Sequence, residues 1–452
     1  MLSRTLRTGG YLRCQTNKRN LTRHGSRQSR RTDLTTAPRA SIRHSSTEQF
    51  GARFEERSKV VNKLKAAVQI PGEGVWADAI PTYSLLTPDG KINNKEEFPE
   101  FSDEFVLKIY RQMVLLNTMD TKLHEVQRQG RISFYMPSKG EEATHFGSAV
   151  ALEPADTIFA QYREQGVFMY RGFSLDDFCN QCFSNAADKG KGRQMPVHYG
   201  SKALNIQTIS SPLGTQLPQA VGSAYAQKMR GEKNCTIVYF GEGAASEGDF
   251  HPAMNFAATL QAPTIFFCRN NGYAISTPSI EQYRGDGIAG RGIAYGMHTI
   301  RVDGNDFFAV YNATKKAREI AVTKQIPVML EAMTYRIGDH STSDDSTRYR
   351  EGEEVAHWTN TSVNPIIRLR EYLERKNIWD ADKETALKKD SLKQVLASIK
   401  NAELRPKPHI DGLFTDVYHD IPPHLAQQQA DLQRHLKKYP DKYPIDSHTT
   451  EL

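Results

Sequence analysis

Four short apolar runs, CTIVYF (235–240), TIFFC (264–268), HTIRV (298–302) and VMLEAMTY (328–335), recur with helical stretches between them. They are β-branched and aromatic, and the first two are continuously apolar, so both faces of these strands must be covered. Strands buried on both faces and joined by helices make a parallel sheet flanked by helices, an α/β fold. PLGTQLPQAVGSAYAQKM (212–229) and a helix opening at Asp306 supply two of the crossovers. Upstream, Ser102 is placed to cap a helix in which Phe105, Ile109, Met113 and Leu116 recur at helical spacing. The α/β domain is therefore expected over residues 101–360.

The flanks read differently. Residues 46–100, with PGEGVW, TPDG and KINNKEEFP, are mixed and turn-rich, and are expected to form an extended arm lying on a neighbour. From 361 the strand signals stop. Leu392, Val395, Leu396 and Ile399 share a helical face, and QQQADLQRHLKK follows the Pro-rich link RPKPHIDG, so 361–452 reads as a small helical C-terminal region. No apolar run approaches the ~20 residues of a bilayer span.

The net charge of +7 invites a nucleic-acid reading until its location is considered. Residues 1–45 hold ten Arg, one Lys and one acid, net +10, which leaves −3 for the rest of the chain. The bulk therefore offers no basic surface for nucleic acid. The leader is rich in Arg, Ser and Thr and lacks an apolar core, the composition of a mitochondrial transit peptide, which places the protein in the matrix. Cys179 and Cys182 form a CxxC, but inside a helical run and with no second pair, so they read as buried helix cysteines rather than a metal or redox site.

One strand, helix, strand unit carries the chemistry. CTIVYF ends at Gly241, a helix follows with Phe250, Met254, Ala257 and Ala258 on one face, and TIFFC is the next strand. A right-handed crossover makes the two strands parallel, so both carboxyl ends lie on one edge of the sheet. Glu242 and Asn271 each follow a strand and converge there. A carboxylate and an amide oxygen form a hard-oxygen site suited to Mg²⁺, and the carboxyl edge of an open sheet is where phosphates bind. A diphosphate held through Mg²⁺ is the expected occupant. A Rossmann fingerprint fails at Ser246 and a P-loop fails at Asp249. The literal GDG at 285–287, with Asn312 downstream, follows the polar EQYR and reads as a turn.

GEG followed by NNGY resembles the thiamine diphosphate motif, usually GDG through NN, with Glu242 for the usual Asp. With FYMPSKGEEA, QMPVHYG, ISSPLGTQ, RVDGND and EAMTYRIGDHSTSDDS, the chain from about residue 75 to its end resembles the α subunits of 2-oxo acid dehydrogenase E1 components, the branched-chain line in particular. The pyruvate dehydrogenase line, which usually carries GDG, is the nearer alternative, and a non-catalytic diphosphate-binding regulatory subunit the more distant one.

The resemblance implies a thiamine diphosphate-binding fold and an assignment of residues. Glu242, Asn271 and the Tyr273 carbonyl would hold Mg²⁺. Gln161, Tyr162, Arg163, Ser211, Leu213, Gly241, Gly243, Ala244 and Arg269 would hold the cofactor. Ser210, Pro212, Thr215 and Gln216 would hold K⁺. His340 would meet the cofactor's reactive end as the catalytic residue, passing protons near neutral pH. Ser341 matches an inhibitory phosphorylation site, implying a regulatory kinase and phosphatase, whereas the family's second serine position is Glu351 here. The implied activity is decarboxylation of branched-chain 2-oxo acids with acyl transfer to the lipoyl group of an E2 acyltransferase, and the implied assembly is α₂β₂ with an E1 β subunit.

Overall fold

The computed structural model describes residues 79–450, with Leu64 and the short strands Val60–Val61 and Val68–Gln69. The leader over 1–45 and much of the arm lie outside the described residues. The strands in chain order are β1 (Val60–Val61), β2 (Val68–Gln69), β3 (Thr82–Tyr83), β4 (Thr157–Phe159), β5 (Thr236–Gly241), β6 (Thr264–Asn270), β7 (Tyr273–Ala274), β8 (Thr277–Pro278), β9 (His298–Asp303) and β10 (Val328–Met333). Six of them run parallel in the order β3-β9-β10-β6-β5-β4, with β1 parallel beside β3 and β2 antiparallel to β9. This is the parallel sheet the apolar runs require.

Alternation along each strand divides the core in two. Ile237, Tyr239, Ile265, Phe267, Ile300, Val302, Val328 and Leu330 face one apolar cluster, which includes residues of helices Asp103–Arg128, Glu142–Val150 and Phe307–Lys324. Val238, Phe240, Phe266, Cys268 and Met329 face the other, built with helices Gln216–Met229 and Phe250–Leu260. Helix Asp103–Arg128 starts where expected, because the Ser102 hydroxyl accepts from the Phe105 N–H and Asp103 and Glu104 favour the positive end of the helix dipole. Asp306 caps helix Phe307–Lys324 by accepting from Phe308 and Ala309 N–H. Cys179 and Cys182 are buried in helix Leu175–Phe183.

Two flanking expectations change in detail. The described part of the arm, short strands and a turn between Leu86 and Ile92, packs on this chain's own sheet: Tyr83, Leu85 and Leu86 are buried, and Tyr83 lies in register with Val302. Apolar side chains at 83, 85 and 86 have no reason to wait for a neighbour when a sheet edge is open. Helices Pro365–Arg375 and Ala381–Leu404 likewise join the main core through Leu369, Leu373, Val395 and Ile399. From Arg405 to Thr450 no residue is buried. Among the described residues no helix is long and apolar enough to cross a membrane.

Candidate functional site

Gly241 at the end of β5 is in register with Arg269 near the end of β6, so the residues after each strand emerge together. Across 29 residues of chain, the Glu242 carboxylate accepts from the Asn271 N–H at 3.3 Å. A cavity of about 220 Å³ opens at this carboxyl edge. Gly241, Glu242, Gly243 and Ala244 line it from the β5 side, and Arg269, Asn271 and Tyr273 from the β6 side. Gln161, Tyr162 and Arg163, Leu213 and His340 complete the expected set on its walls.

Glu242 is 1 % exposed and its Oε1 has no protein partner. Burial pushes its carboxyl up to about 7, with its own and the Asn271 backbone N–H opposing and Glu141 adding to the rise. An acid this poorly compensated is stabilised by a cation brought to it. The Asn271 amide nitrogen donates to Glu141 Oε1 at 2.8 Å, and its oxygen accepts from the Tyr273 N–H at 3.3 Å, which leaves that oxygen a second lone pair for an ion. A Cβ on Gly243 would come within 2.5 Å of the Ala274 Cβ, so the turn after β5 must be glycine to pass this close. One carboxylate, one amide oxygen and adjacent main chain are the donors Mg²⁺ takes when phosphate oxygens and water supply the rest. The residues present fit the ion.

Glu141 and Glu164 were not among the residues expected here, yet they organise the site. Arg269 is fully buried, donates through Nη1 to Glu141 and through Nε to Glu164 Oε1 at 2.8 Å, and its Nη2 is ion-paired with the same oxygen at 2.6 Å. Burial alone would raise Glu141, but Arg269 and Arg163 outweigh it and hold it low. For Glu164 burial wins over Arg269, and the neighbouring Glu141 charge adds to the rise. Arg269 thus lines the cavity with its donors committed to protein carboxylates. The only sequence signal for this pair was the acids in KGEEA and YREQG, and their partners are fixed by tertiary packing.

Arg163 donates to Pro137 O, to the His340 carbonyl at 2.6 Å and toward His340 Nδ1 at 3.1 Å. A guanidinium cannot accept, so Nδ1 is the acceptor and the neutral ring carries its proton on Nε2. Burial, then Arg163 and Arg336, lower the imidazole to about 3. In these surroundings the ring is a neutral hydrogen-bond donor, whereas the resemblance implies a residue that passes protons near neutral pH. Arg336, a lining residue not expected from the sequence, is buried, donates to Ile275 O at 2.7 Å and Tyr349 OH at 2.8 Å, and has no protein partner at Nε. Ile275 itself holds φ +58, a left-handed conformation that a β-branched residue adopts only under constraint.

The remaining expected residues lie apart from the cavity wall. Ser211 is exposed and its Oγ is 2.6 Å from His198 Nε2. Among the proposed K⁺ ligands, the Thr215 hydroxyl donates to Pro212 O at 2.9 Å and Gln216 Nε2 to Tyr239 O at 3.2 Å, while Ser210 is half-buried. Ser341 is 5 % exposed, and its Oγ accepts from the Ser343 N–H. Glu351 precedes helix Gly352–Asn360, where a negative charge favours the helix start. Asn312 donates to Tyr83 OH and Glu97 O, and GDG lies in a bend.

Residues 110–411 match the model of the dehydrogenase E1 component. The chain belongs to that family. It is 62 % identical over 368 residues to "2-oxoisovalerate dehydrogenase subunit alpha, mitochondrial" of Dictyostelium discoideum, covering 81 % of this chain and 83 % of the relative. The protein of the same name in Homo sapiens is 58 % identical over 367 residues, 81 % and 82 % covered. That in Caenorhabditis elegans is 53 % identical over 413 residues, 90 % and 95 % covered. The family depends on thiamine diphosphate.

Proposed function

We propose that this chain is the α subunit of a mitochondrial 2-oxo acid dehydrogenase E1 that acts on branched-chain 2-oxo acids and passes the acyl group to the lipoyl arm of an E2 acyltransferase. The observation that carries the reading is the buried Glu242 carboxylate with an unpartnered oxygen beside Asn271, at the phosphate-binding edge of the sheet. Names of relatives alike in substrate and compartment support it.

Glu242, Asn271 and the Tyr273 carbonyl hold Mg²⁺, and Gly241, Gly243 and Ala244 let the diphosphate approach the main chain. Thiamine diphosphate, when bound, supplies the electron sink that decarboxylation needs. This chain's residues orient it. Glu141 sets the Asn271 amide through Nδ2 and, with Glu164, fixes the Arg269 side chain. Arg163 and Arg336 donate to carbonyl, imidazole and hydroxyl groups rather than to acids, so they bring positive charge to the cavity, which suits an anion. The neutral His340 offers its Nε2–H to an oxygen that gains charge. The cavity is smaller than the ~300 Å³ at which whole-ligand pockets begin. A β subunit therefore grips the rest of the cofactor, in an α₂β₂ assembly.

Ser210, Pro212, Thr215 and Gln216 offer hydroxyl, carbonyl and amide oxygens for K⁺, and Ser211 and Leu213 extend that loop toward the cofactor. Phosphate on Ser341 adds ~2 negative charges to a buried position near Asp344, which opens the loop and displaces His340. A kinase and a phosphatase are the partners this implies. Full turnover of a Ser341→Glu enzyme would sink that part.

The reading as a whole is tested by co-expressing the chain with a β partner. We expect turnover of 3-methyl-2-oxobutanoate to exceed that of pyruvate by at least tenfold in kcat/KM. The reverse preference would move the protein to the pyruvate line.

A further inference from the structure

Of the two asparagines that end the strand unit, only the second faces the cavity. Asn270 points to the opposite side of the sheet, as alternation along β6 requires. There its amide nitrogen donates to Glu331 Oε1 at 2.8 Å and to Tyr283 OH at 3.0 Å, while its Oδ1 accepts from Gly272 N–H at 3.3 Å across a turn with Gly272 at φ +87.

Glu331, on β10, is fully buried and outside the cavity wall. Its Oε1 also accepts from Ile288 N–H at 2.8 Å, and its Oε2 from Ala289 N–H at 2.9 Å and from Arg301 Nε and Nη2 at 3.0 and 2.9 Å. These donors exhaust the lone pairs of one carboxylate. Arg301 sits opposite Glu331 in the β9–β10 register and continues to Asp286 Oδ2 at 2.8 Å and Ile80 O at 2.9 Å. The loop passes tightly here, since a Cβ on Gly287 would fall 2.6 Å from Glu331 Oε1. The segment 271–287 is thus fastened at its start, through Asn270, and at its end, through Ile288 and Ala289, to the same carboxylate. Its first residues include Asn271 and Tyr273.

We propose that Glu331, held by Arg301, is a positioning residue for the divalent-ion site: it fixes the ends of the loop that presents the Asn271 amide and the Tyr273 carbonyl to Mg²⁺. The proposal rests on the reading that the ion binds at Glu242. Groups behind metal ligands set the ligands' geometry, and their loss typically weakens metal binding by ~10–100-fold. Glu331→Gln keeps the volume but replaces one acceptor oxygen with an NH₂ that faces N–H donors.

The test uses the α₂β₂ complex and three readouts: calorimetric thiamine diphosphate binding across a Mg²⁺ titration, kcat at saturating Mg²⁺ and cofactor, and the thermal midpoint without either. For Glu331→Gln the Mg²⁺ needed for half-maximal cofactor binding is expected to rise by ~10–100-fold, with a smaller relative fall in kcat at saturation. Should that variant fail to assemble, Asn270→Ala cuts the loop's bond to Glu331 and leaves the carboxylate its other donors; the same rise is expected. Arg301→Lys, which keeps the charge without the fork, is expected to raise the requirement less than Arg301→Ala. An unchanged Mg²⁺ requirement with a lowered thermal midpoint would reduce Glu331 to a core residue and overturn the proposal. Glu242→Ala separates the two levels: if it too leaves the requirement unchanged, the ion-site reading itself fails.

Discussion

The carboxyl edge of the sheet and the unburied C-terminal stretch from Arg405 to Thr450, a C-terminal arm, both have basic side chains in contact with acids, and the two contacts have opposite meanings. At the edge, Arg269, Glu141 and Glu164 are buried away from bulk solvent, so each charge depends on the others. On the arm, Asp416 meets both Lys191 and Arg193 of the loop after helix Leu175–Phe183, with side chains about half exposed. Water solvates those ions whether or not they pair, so the contact adds little. Burial, rather than the presence of a pair, decides whether an ion pair shapes a site.

Arg269→Met breaks this comparison most severely. It strands two buried carboxylates, and the expected cost is about 3–5 kcal/mol, read as a lowered unfolding midpoint or as failure to assemble with β. If the variant is as stable as the parent, the edge cluster is no different from the arm.

A second, smaller effect sharpens the comparison through pH. His145 is fully buried, neither ring nitrogen has a protein partner, and burial, with Arg269 and Arg163 opposing Glu141, holds it down to about 3. Its ordinary value is about 6.5. The unfolded chain therefore takes up a proton below pH 6.5 that the folded chain refuses. Stability from this group is complete above pH 6.5 and is lost as pH falls toward 3, by up to about 1.4 kcal/mol per unit. The drop in thermal midpoint between pH 7 and 5.5 should be smaller in His145→Gln than in the parent. An equal drop in both would show that the cluster is not sealed from water.

The smallest effect belongs to the arm. Asp416→Ala removes both of its ion pairs and should leave the thermal midpoint unchanged within error. A clear loss would mean that the arm's surface pairs contribute as the buried ones do.

Much of the edge was legible because it follows from local pattern and handedness. Runs such as TIVYF and TIFFC had to be strands covered on both faces, and a right-handed crossover had to bring Glu242 and Asn271 to one edge. The insertion of β10 between β6 and β9 was not legible, since no local signal orders strands that are distant in sequence. Glu141, Glu164 and Arg336 were missed for the same reason: each is an ordinary charged residue until packing removes its water. The packing of Tyr83 and Leu85 on their own sheet, rather than on a neighbour, also depended on an edge that the sequence does not display. GDG at 285–287 lies in a bend before helix Ala289–Ala294 rather than at a strand end, and that its Asp286 engages Arg301 came only from the fold.

The central claim is that Glu242 and Asn271 hold one divalent ion. Substituting Mn²⁺ for Mg²⁺ allows the bound ion to be counted by electron paramagnetic resonance in the α₂β₂ complex with thiamine diphosphate present. The account predicts one tightly held Mn²⁺ per α chain in the parent and loss of that signal in Glu242→Ala. The same Mn²⁺ occupancy in both proteins would contradict it.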